Sequence, residues 1–219
     1  MDERLARLLK EVEAEALETA PYTGLPAFDA RTMRAMAEVP RHDFVPEEEQ
    51  ASAYLDLPLP IGHGQTISQP YIVALMTDLL ELEPGGKVLE VGAGSGYQAA
   101  VLSRLAKSVH TVEIVPALAS ACRERLARLG YANVAVHEGD GGAGLAAEAP
   151  FDAIMVTAAA RRVPPALVAQ LKPGGRMAIP VGEAGGAQEL ALLVKDAKGE
   201  VSARAVLPVR FVPLTGRNG

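Results

Sequence analysis

The stretch that decides the fold is Lys87–Gly96, which reads KVLEVGAGSG. A short apolar strand ends at Val91, and glycines follow at positions 92, 94 and 96. A second apolar strand ends at Glu113, 21 residues after Gly92. Glycines let the backbone approach a ligand closely, and an acid at this distance can accept hydrogen bonds from both hydroxyls of a ribose. The stretch therefore predicts a nucleoside site in an α/β sheet.

The pattern around this stretch predicts a doubly wound, mostly parallel sheet, because short apolar strands alternate with helices of about ten residues. The predicted strands of this unit are 87–91, 109–113, 134–137, 151–156 and 174–181. The predicted helices are 97–106, 116–129 and one that begins at Pro164 or Pro165. Residues 188–194 and 201–212 are expected to complete the sheet as antiparallel strands.

The first part of the chain is predicted to be helical. Amphipathic or capped patterns indicate helices over 2–18, from Asp29 to about residue 40, over 47–53 and over 70–81. A polar loop, Gly62–Pro70 (GHGQTISQP), precedes the last of these. We expect one domain, 1–219, with a helical extension (1–60), a cofactor-binding α/β core (61–183) and a C-terminal β segment (184–219).

Composition excludes several classes of protein. The 219 residues carry a net charge of −6 and no basic tract, which argues against nucleic-acid binding. No stretch reaches transmembrane length, and the charged N-terminus lacks a signal core. Cys122 is the one cysteine and is expected to be a small core residue, while the four histidines show no metal-ligand spacing. We therefore expect a cytoplasmic protein without a metal, a nucleic-acid partner or a membrane partner. We also expect a monomer, which composition does not decide.

The glycine spacing distinguishes between nucleosides. A dinucleotide fingerprint is G-x-G-x-x-G, whereas here the order is G-x-G-x-G, preceded by Glu90. This pattern resembles the first motif of class I S-adenosylmethionine-dependent methyltransferases. On that resemblance the loop, including Ser95, cradles the amino-acid end of the cofactor and Glu90 helps to hold its ammonium, indirectly. Asp140, in EGDGG after the third strand, would accept a hydrogen bond from the adenine amine.

A role without ligand binding remains open for each of these residues. The three glycines could serve a purely structural turn, and Glu113 could be a surface charge. Asp140 could belong to an ordinary Asp-Gly turn, because such turns are common.

Further motifs extend the resemblance to one family, the protein-L-isoaspartate O-methyltransferases. They cover most of the chain from Val39 to Gly216, with slight departures at His42 and Ala93, and no useful match precedes about residue 25. The motifs are VPRHDFVP (39–46), LPIGHGQTISQP (59–70), VLEVGAGSGYQAAVL (88–102), GDG (139–141), APFDAIMVTAAA (149–160), QLKPGGRMAIPVG (170–182) and VRFVPLTG (209–216).

The resemblance implies an enzyme that transfers methyl from S-adenosylmethionine, leaving S-adenosylhomocysteine, to the free α-carboxylate of isoaspartyl residues in damaged proteins and peptides. The ester re-forms a succinimide, and hydrolysis returns some normal aspartate. Three rivals remain: a methyltransferase for another carboxylate or a small molecule, a nicotinamide-dependent oxidoreductase, and a non-catalytic adenosyl-binding module.

The resemblance also assigns site residues. It places Gln65, Thr66, Ile67 and Ser68 against the cofactor, together with Gly141 and Thr215, and it makes Ser68 the catalytic residue. A carboxylate acceptor is ionised at neutral pH and needs no general base, so hydroxyls of Thr66 and Ser68 would orient it. Thr157 and Ala158, at the end of the fourth strand, would contact the substrate.

Two other roles are weighed in the polar loop. Ser68 could merely cap the helix that begins at Pro70. His63 could be mistaken for a catalytic base, but we expect a solvated loop histidine.

Overall fold

The computed structural model describes residues 2–217. Within them the helices are α1 Glu3–Thr23, α2 Ala30–Glu38, α3 Pro70–Leu79, α4 Tyr97–Ser103, α5 Pro116–Arg128 and α6 Pro165–Gln170. The strands are β1 Leu59–Gly62, β2 Gln65–Ile67, β3 Lys87–Val91, β4 Ser108–Glu113, β5 Val134–Glu138, β6 Phe151–Val156, β7 Leu171–Gly182, β8 Gln188–Lys195 and β9 Val201–Val209. Short 3₁₀ turns lie at Arg41–Phe44, Glu47–Ser52, Gly141–Ala143 and Ala146–Glu148.

A seven-stranded sheet organises residues 87–209, in the order β5-β4-β3-β6-β7-β8-β9. The neighbouring strands β5, β4, β3, β6 and β7 are parallel to one another. Strand β8 runs antiparallel to β7, and β9 runs antiparallel to β8. The prediction of a doubly wound, mostly parallel sheet with antiparallel C-terminal strands is confirmed. The chain leaves β3 toward β4 on one side and later returns to β6 on the other. Ligands bind at such switch points, outside the carboxyl ends of the strands.

The sheet is covered on both faces, which explains the nearly continuous apolar composition of β3 and β6. Leu89 and Val91 belong to one apolar cluster with α6 residues, and Val88 belongs to the other with residues of α1, α3 and α4. Because side chains alternate along a strand, Glu90 shares the face of Val88. Its carboxyl group is thus directed into a packed interior.

Helix α1 is longer than the predicted 2–18. Asp2 caps it by accepting a hydrogen bond from the Arg4 N–H at 2.9 Å. It continues through Pro21 to Thr23 and ends where Gly24 adopts a left-handed conformation, φ 76°. Glycine takes this conformation without steric cost, so it sets the true end of the helix.

The sequence predicted a loop over 62–70. In the structure most of this segment instead belongs to a short antiparallel hairpin, in which β1 pairs with β2. Its turn has positive φ at Gly62, His63 and Gly64, which glycine favours. The predicted division between residues 60 and 61 falls inside β1, and the single-domain organisation itself stays a prediction. Helices α3 and α4 end two to three residues earlier than predicted, and β7 begins three residues earlier.

Within residues 2–217, no helix combines the length and the apolar character needed to cross a membrane. The same residues contain no cluster of three or more side chains suited to a metal ion.

Candidate active site

A cleft of about 770 Å³, including the space open to solvent, lies at the carboxyl ends of β3, β4 and β6. Most of the predicted site residues line it: Gln65, Thr66, Ile67, Ser68, Glu90, Gly92, Gly94, Ser95, Glu113, Gly141, Thr157, Ala158 and Thr215. Gly96 and Asp140 are not among the residues that line it.

The three motif glycines have different environments. Gly92 has φ 98°, and a Cβ there would lie 2.5 Å from Thr157 Oγ1. That hydroxyl lies 2.7 Å from the Gly92 carbonyl oxygen, so it ties the turn to the end of β6. At Gly94, where φ is 51°, an added Cβ would lie 3.3 Å from the side chain of Ile61, a tight contact.

Gly96 is set apart by its packing. A Cβ there would lie 2.9 Å from the sulfur of Cys122 on α5. The close approach of two helices accounts for this glycine, and its contact with a ligand stays a prediction. Cys122 itself is fully buried, as the sequence predicted.

Glu113 is fixed at the cleft by two main-chain hydrogen bonds. Its oxygens accept from the N–H of Gly94 at 2.8 Å and of Val115 at 2.9 Å. The residue is only 6% exposed, so the alternative of a surface charge is wrong. Each oxygen keeps a lone pair for a ligand hydroxyl. The sequence reasoning missed its neighbour Ile114, an exposed apolar side chain that lines the cleft and offers a flat base an apolar contact.

Glu90 is fully buried and lines the cleft, and neither of its carboxylate oxygens has a hydrogen-bond partner in the described part of the chain. Burial raises its pKa to about 8. The nearby Thr111 hydroxyl lowers the pKa by a smaller amount, and the Glu113 carboxylate raises it further. A buried carboxyl without a partner is costly when ionised. It therefore suits a ligand that brings a positive charge.

Asp140 lies beside the cleft and binds the main chain. Its oxygens accept from the N–H groups of Gly142 at 3.0 Å and Arg217 at 2.9 Å. It thus stabilises both the turn after β5 and the C-terminal segment. A contact with adenine stays a prediction, and the turn alternative describes at least part of its role.

A second cavity, the side groove, adjoins the cleft and has a volume of about 1,080 Å³, including space open to solvent. Thr66, Ser68, Thr157 and Val212 line both cavities. The remaining residues of the side groove are Glu15, Pro58, Gln69, Tyr71, Ile72, Leu207, Pro208, Val209, Arg210 and Phe211.

Ser68 is one of the four residues that line both cavities, which we call the junction. Its hydroxyl makes no hydrogen bond to any described residue. The N-cap of α3 is Gln69, and the Tyr71 N–H is bound by Asp56 Oδ1 at 2.8 Å. The alternative in which Ser68 only caps the helix is therefore wrong. His63, at the hairpin turn, is exposed and lines neither cavity, as expected of a solvated loop histidine.

Arg41 is a buried cation that the sequence reasoning missed as a site residue. Its guanidinium donates to the carbonyl oxygens of Ala53 at 2.9 Å, Leu57 at 3.0 Å and Ser68 at 2.9 Å. It therefore fixes the backbone at Ser68, although Arg41 itself lines neither cavity. Its position inside VPRHDFVP, among proline and aromatic residues, was the available signal.

The C-terminal segment forms the remaining wall of the cleft. The Ala159 N–H donates to the Val212 carbonyl and the Leu214 N–H to the Ala159 carbonyl, both at 2.8 Å. These bonds hold residues 212–214 against the end of β6, so that Thr215 reaches the cleft.

This geometry agrees with the comparisons with known proteins. The family model described as Protein-L-isoaspartate(D-aspartate) O-methyltransferase matches residues 23–219. The chain belongs to this family. Membership confirms the predicted enzyme class and the predicted cofactor, S-adenosylmethionine.

Individual relatives cover nearly the whole chain. A protein-L-isoaspartate O-methyltransferase 2 of Polaromonas sp. (strain JS666 / ATCC BAA-500) is 58% identical over 210 residues, 96% of this chain and 100% of the relative. A solved protein-L-isoaspartate O-methyltransferase matches with a TM-score of 0.85 and 28% identity, over 98% of this chain and 67% of its own. A putative one from Plasmodium falciparum, solved with S-adenosyl-L-homocysteine, matches with a TM-score of 0.78 and 26% identity, over 95% and 97%.

Proposed function

We propose that this chain transfers the methyl group of S-adenosylmethionine to the free α-carboxylate of L-isoaspartyl residues in damaged proteins and peptides. Esterification gives the carboxyl group a methoxide leaving group, so the adjacent backbone amide nitrogen can attack the ester carbonyl, form the C–N bond of a succinimide and expel methanol, which starts repair. The observation that carries the site assignment is the junction at Thr66, Ser68, Thr157 and Val212, which line both cavities. A cofactor in the cleft and a peptide in the side groove would meet there.

The residues of the cleft fit S-adenosylmethionine. Glu113 would accept hydrogen bonds from the ribose hydroxyls, and the unpartnered Glu90 carboxyl suits the cationic amino-acid end. Ile114 offers an apolar contact to adenine. Gly92 and Gly94 carry no side chain, so the main chain of the loop can approach the ligand closely. When bound, the cofactor supplies an electrophilic methyl group on a sulfonium.

The acceptor is held by neutral groups in this proposal. An α-carboxylate has a reference pKa of roughly 3.5 and is already ionised at neutral pH, so no general base is needed. Strong stabilisation of this anion would favour the ground state and oppose the reaction. Hydroxyls of Ser68 and Thr66 can instead orient it, and proximity can contribute up to about 7–11 kcal/mol.

Ser68 is assigned an orienting role. In the part of the chain that the structure describes, no histidine, lysine or carboxylate binds its hydroxyl, so nothing activates it as a nucleophile. We propose substrate contacts for Thr157 and Ala158 as well. The Thr157 hydroxyl donates to the β3 turn, which leaves its lone pairs for a peptide N–H. Ala158 lies on the cleft side of the junction.

We also propose a monomeric state and a cytoplasmic location. Both cavities are formed by one chain, so the site is complete without a second copy. The buried thiol of Cys122 is compatible with a reducing compartment. Light scattering coupled to gel filtration tests the first proposal, and fractionation of the source cells tests the second.

The deciding experiment is a methyl-transfer assay with radiolabelled S-adenosylmethionine and a matched pair of peptides that differ only in isoaspartyl or aspartyl linkage. We expect base-labile label in the isoaspartyl peptide and almost none in its partner. Equal labelling of both peptides, or labelling of neither, would contradict the proposed acceptor. Mass spectrometry of the product should then detect the succinimide.

A further inference from the structure

Helix α1 contributes a side chain to the side groove although the family match begins only at residue 23. Glu15 lies near the middle of this helix, is half-buried, and lines the groove together with Ser68 and Gln69. The helix is joined to α3 by a hydrogen bond of 2.6 Å between the hydroxyls of Thr19 and Tyr71. The N-terminal helix is therefore part of the wall that an acceptor peptide would meet.

Glu15 acts on the residue that follows Ser68. Gln69 Nε2 donates to the Glu15 carboxylate at 3.2 Å and to Asp56 Oδ2 at 3.1 Å. The other oxygen of Asp56 accepts from the Tyr71 N–H at 2.8 Å. Two carboxyl groups from distant parts of the sequence thus converge on one amide and hold the first turn of α3.

The charge of this pair depends on pH. Glu15 faces Asp56 from the turn before β1, Glu18 on its own helix and the Tyr71 hydroxyl of α3, and Arg210 lines the same groove after β9. Burial and the Asp56 carboxyl raise the pKa of Glu15 to about 7. Below this pH the Glu15 carboxyl is mostly protonated, and above it Glu15 adds a negative charge at the groove.

We propose that Glu15 is a positioning residue for methyl transfer: it holds the Ser68 segment through Gln69 and, once ionised, repels the anionic acceptor from the side groove. The inference rests on the proposed function. Like charges in a partly solvated groove oppose binding, so loss of the Glu15 proton should raise the KM for the peptide. Loss of the contact with Gln69 should instead lower kcat, because Ser68 would be less well oriented.

The experiment measures peptide kinetics between pH 5.5 and 9 for the natural protein and for E15Q, E15A and E13Q. The isoaspartyl peptide is acetylated, amidated and free of histidine, lysine and cysteine, so that it does not titrate in this range. We expect the KM of the natural protein to rise about five-fold from pH 6 to pH 8.5. E15Q should show a constant KM, and E15A should lower kcat several-fold, more than E15Q does. Glu13 is exposed on the same helix, so E13Q should keep the natural profile.

Affinity for S-adenosylhomocysteine and the unfolding temperature complete the test. Glu15 does not line the cleft, so cofactor affinity should be unchanged in all variants. A purely structural role would lower the unfolding temperature and leave the pH profile in place. A natural protein with a flat KM, or an E15Q variant that keeps the rise, would overturn the inference even if methylation of isoaspartyl peptides is observed. A natural protein that methylates no such peptide would overturn the proposed function as well.

Discussion

Arg41 Nη2 lies 2.9 Å from the main-chain carbonyl oxygen of Ser68, so a fully buried cation holds the residue at the junction of the two cavities. The same guanidinium binds the segment that leads into β1. Folding of this segment and placement of Ser68 thus depend on one side chain.

Arg41→Lys should impair both stability and turnover. A lysine ammonium is a compact charge without the planar fork that reaches several carbonyl groups at once. Each buried carbonyl left without a donor costs about 1–3 kcal/mol. We expect a lower unfolding temperature together with a kcat reduced about ten-fold or more. Calorimetric unfolding and peptide kinetics measure the two effects, and a variant with natural kcat would show that the contact with Ser68 is dispensable.

Ser68→Ala should lower turnover while affinity for S-adenosylmethionine stays within a few-fold. The hydroxyl binds no other described residue, so its loss removes a donor to the acceptor and leaves the hairpin intact. The expected loss in kcat is on the order of 10- to 100-fold. Isothermal titration calorimetry and peptide kinetics separate the two quantities. Failure of this variant to fold would instead indicate a structural role.

Glu113→Ala should weaken cofactor binding strongly, because the ribose would lose a charged acceptor and the Gly94 N–H its partner. Hydrogen bonds to charged groups contribute about 1.5–3 kcal/mol each, which corresponds to about 10- to 100-fold in affinity. Glu138→Ala is the matched control, since Glu138 pairs with Glu113 in the β4–β5 register but is exposed. Unchanged calorimetric affinity for the Glu113 variant would mean that the ribose assignment is wrong.

Binding of S-adenosylhomocysteine should release a proton from Glu90. The free carboxyl is mostly protonated at pH 7, because burial raises its pKa to about 8. A bound ammonium favours the carboxylate, so affinity should increase as pH rises toward 8 and level off above it. Titrations at pH 7 in phosphate and in Tris should give different heats, and Glu90→Gln should abolish the difference. Equal heats for the natural protein would contradict the coupling.

Gly92→Ala should destabilise the protein more than Gly130→Ala does. Both residues have positive φ, 98° and 81°, which costs a non-glycine residue about 1–2 kcal/mol. An added Cβ at Gly130 meets nothing within 4 Å, whereas at Gly92 it would lie 2.5 Å from Thr157 Oγ1. Chemical denaturation should therefore show a larger loss for Gly92→Ala, partly recovered by Thr157→Ala in the double variant. Equal losses for the two glycines would show that the contact with Thr157 relaxes without cost.

The local sequence was sufficient to predict the fold, because strand and helix periods alternate and glycines mark the turn after β3. It also identified Glu113, since an acid at the end of the next strand has a fixed place beside that turn. Contacts between side chains that are distant in the sequence could not be predicted in the same way. Arg41 and Ser68 are 27 residues apart, and Glu15 and Gln69 are 54 apart, with no local pattern that joins them.

Two residues show how tertiary neighbours decide a role that a motif leaves open. Gly96 belongs to the same motif as Gly92, yet α5 lies against it, so packing against Cys122 is sufficient to require a glycine there, and a contact with the cofactor stays a prediction. Asp140 follows a strand as Glu113 does, but the chain returns 77 residues later to bind its carboxylate. The sequence predicted ligand contacts for both residues, and the structure adds packing or main-chain contacts that no local pattern indicated.

The shared wall of the cleft and the side groove has a consequence for inhibitor design. Since four residues belong to both cavities, the proposed function predicts that an adenosyl group and a short β-linked peptide, joined into one bisubstrate compound, would bind on both sides of these residues. Its second half would bind at the effective concentration set by the linker, which is typically in the millimolar range for short linkers. Such a compound would exceed the affinity of either fragment and discriminate against methyltransferases that share only the adenosyl half.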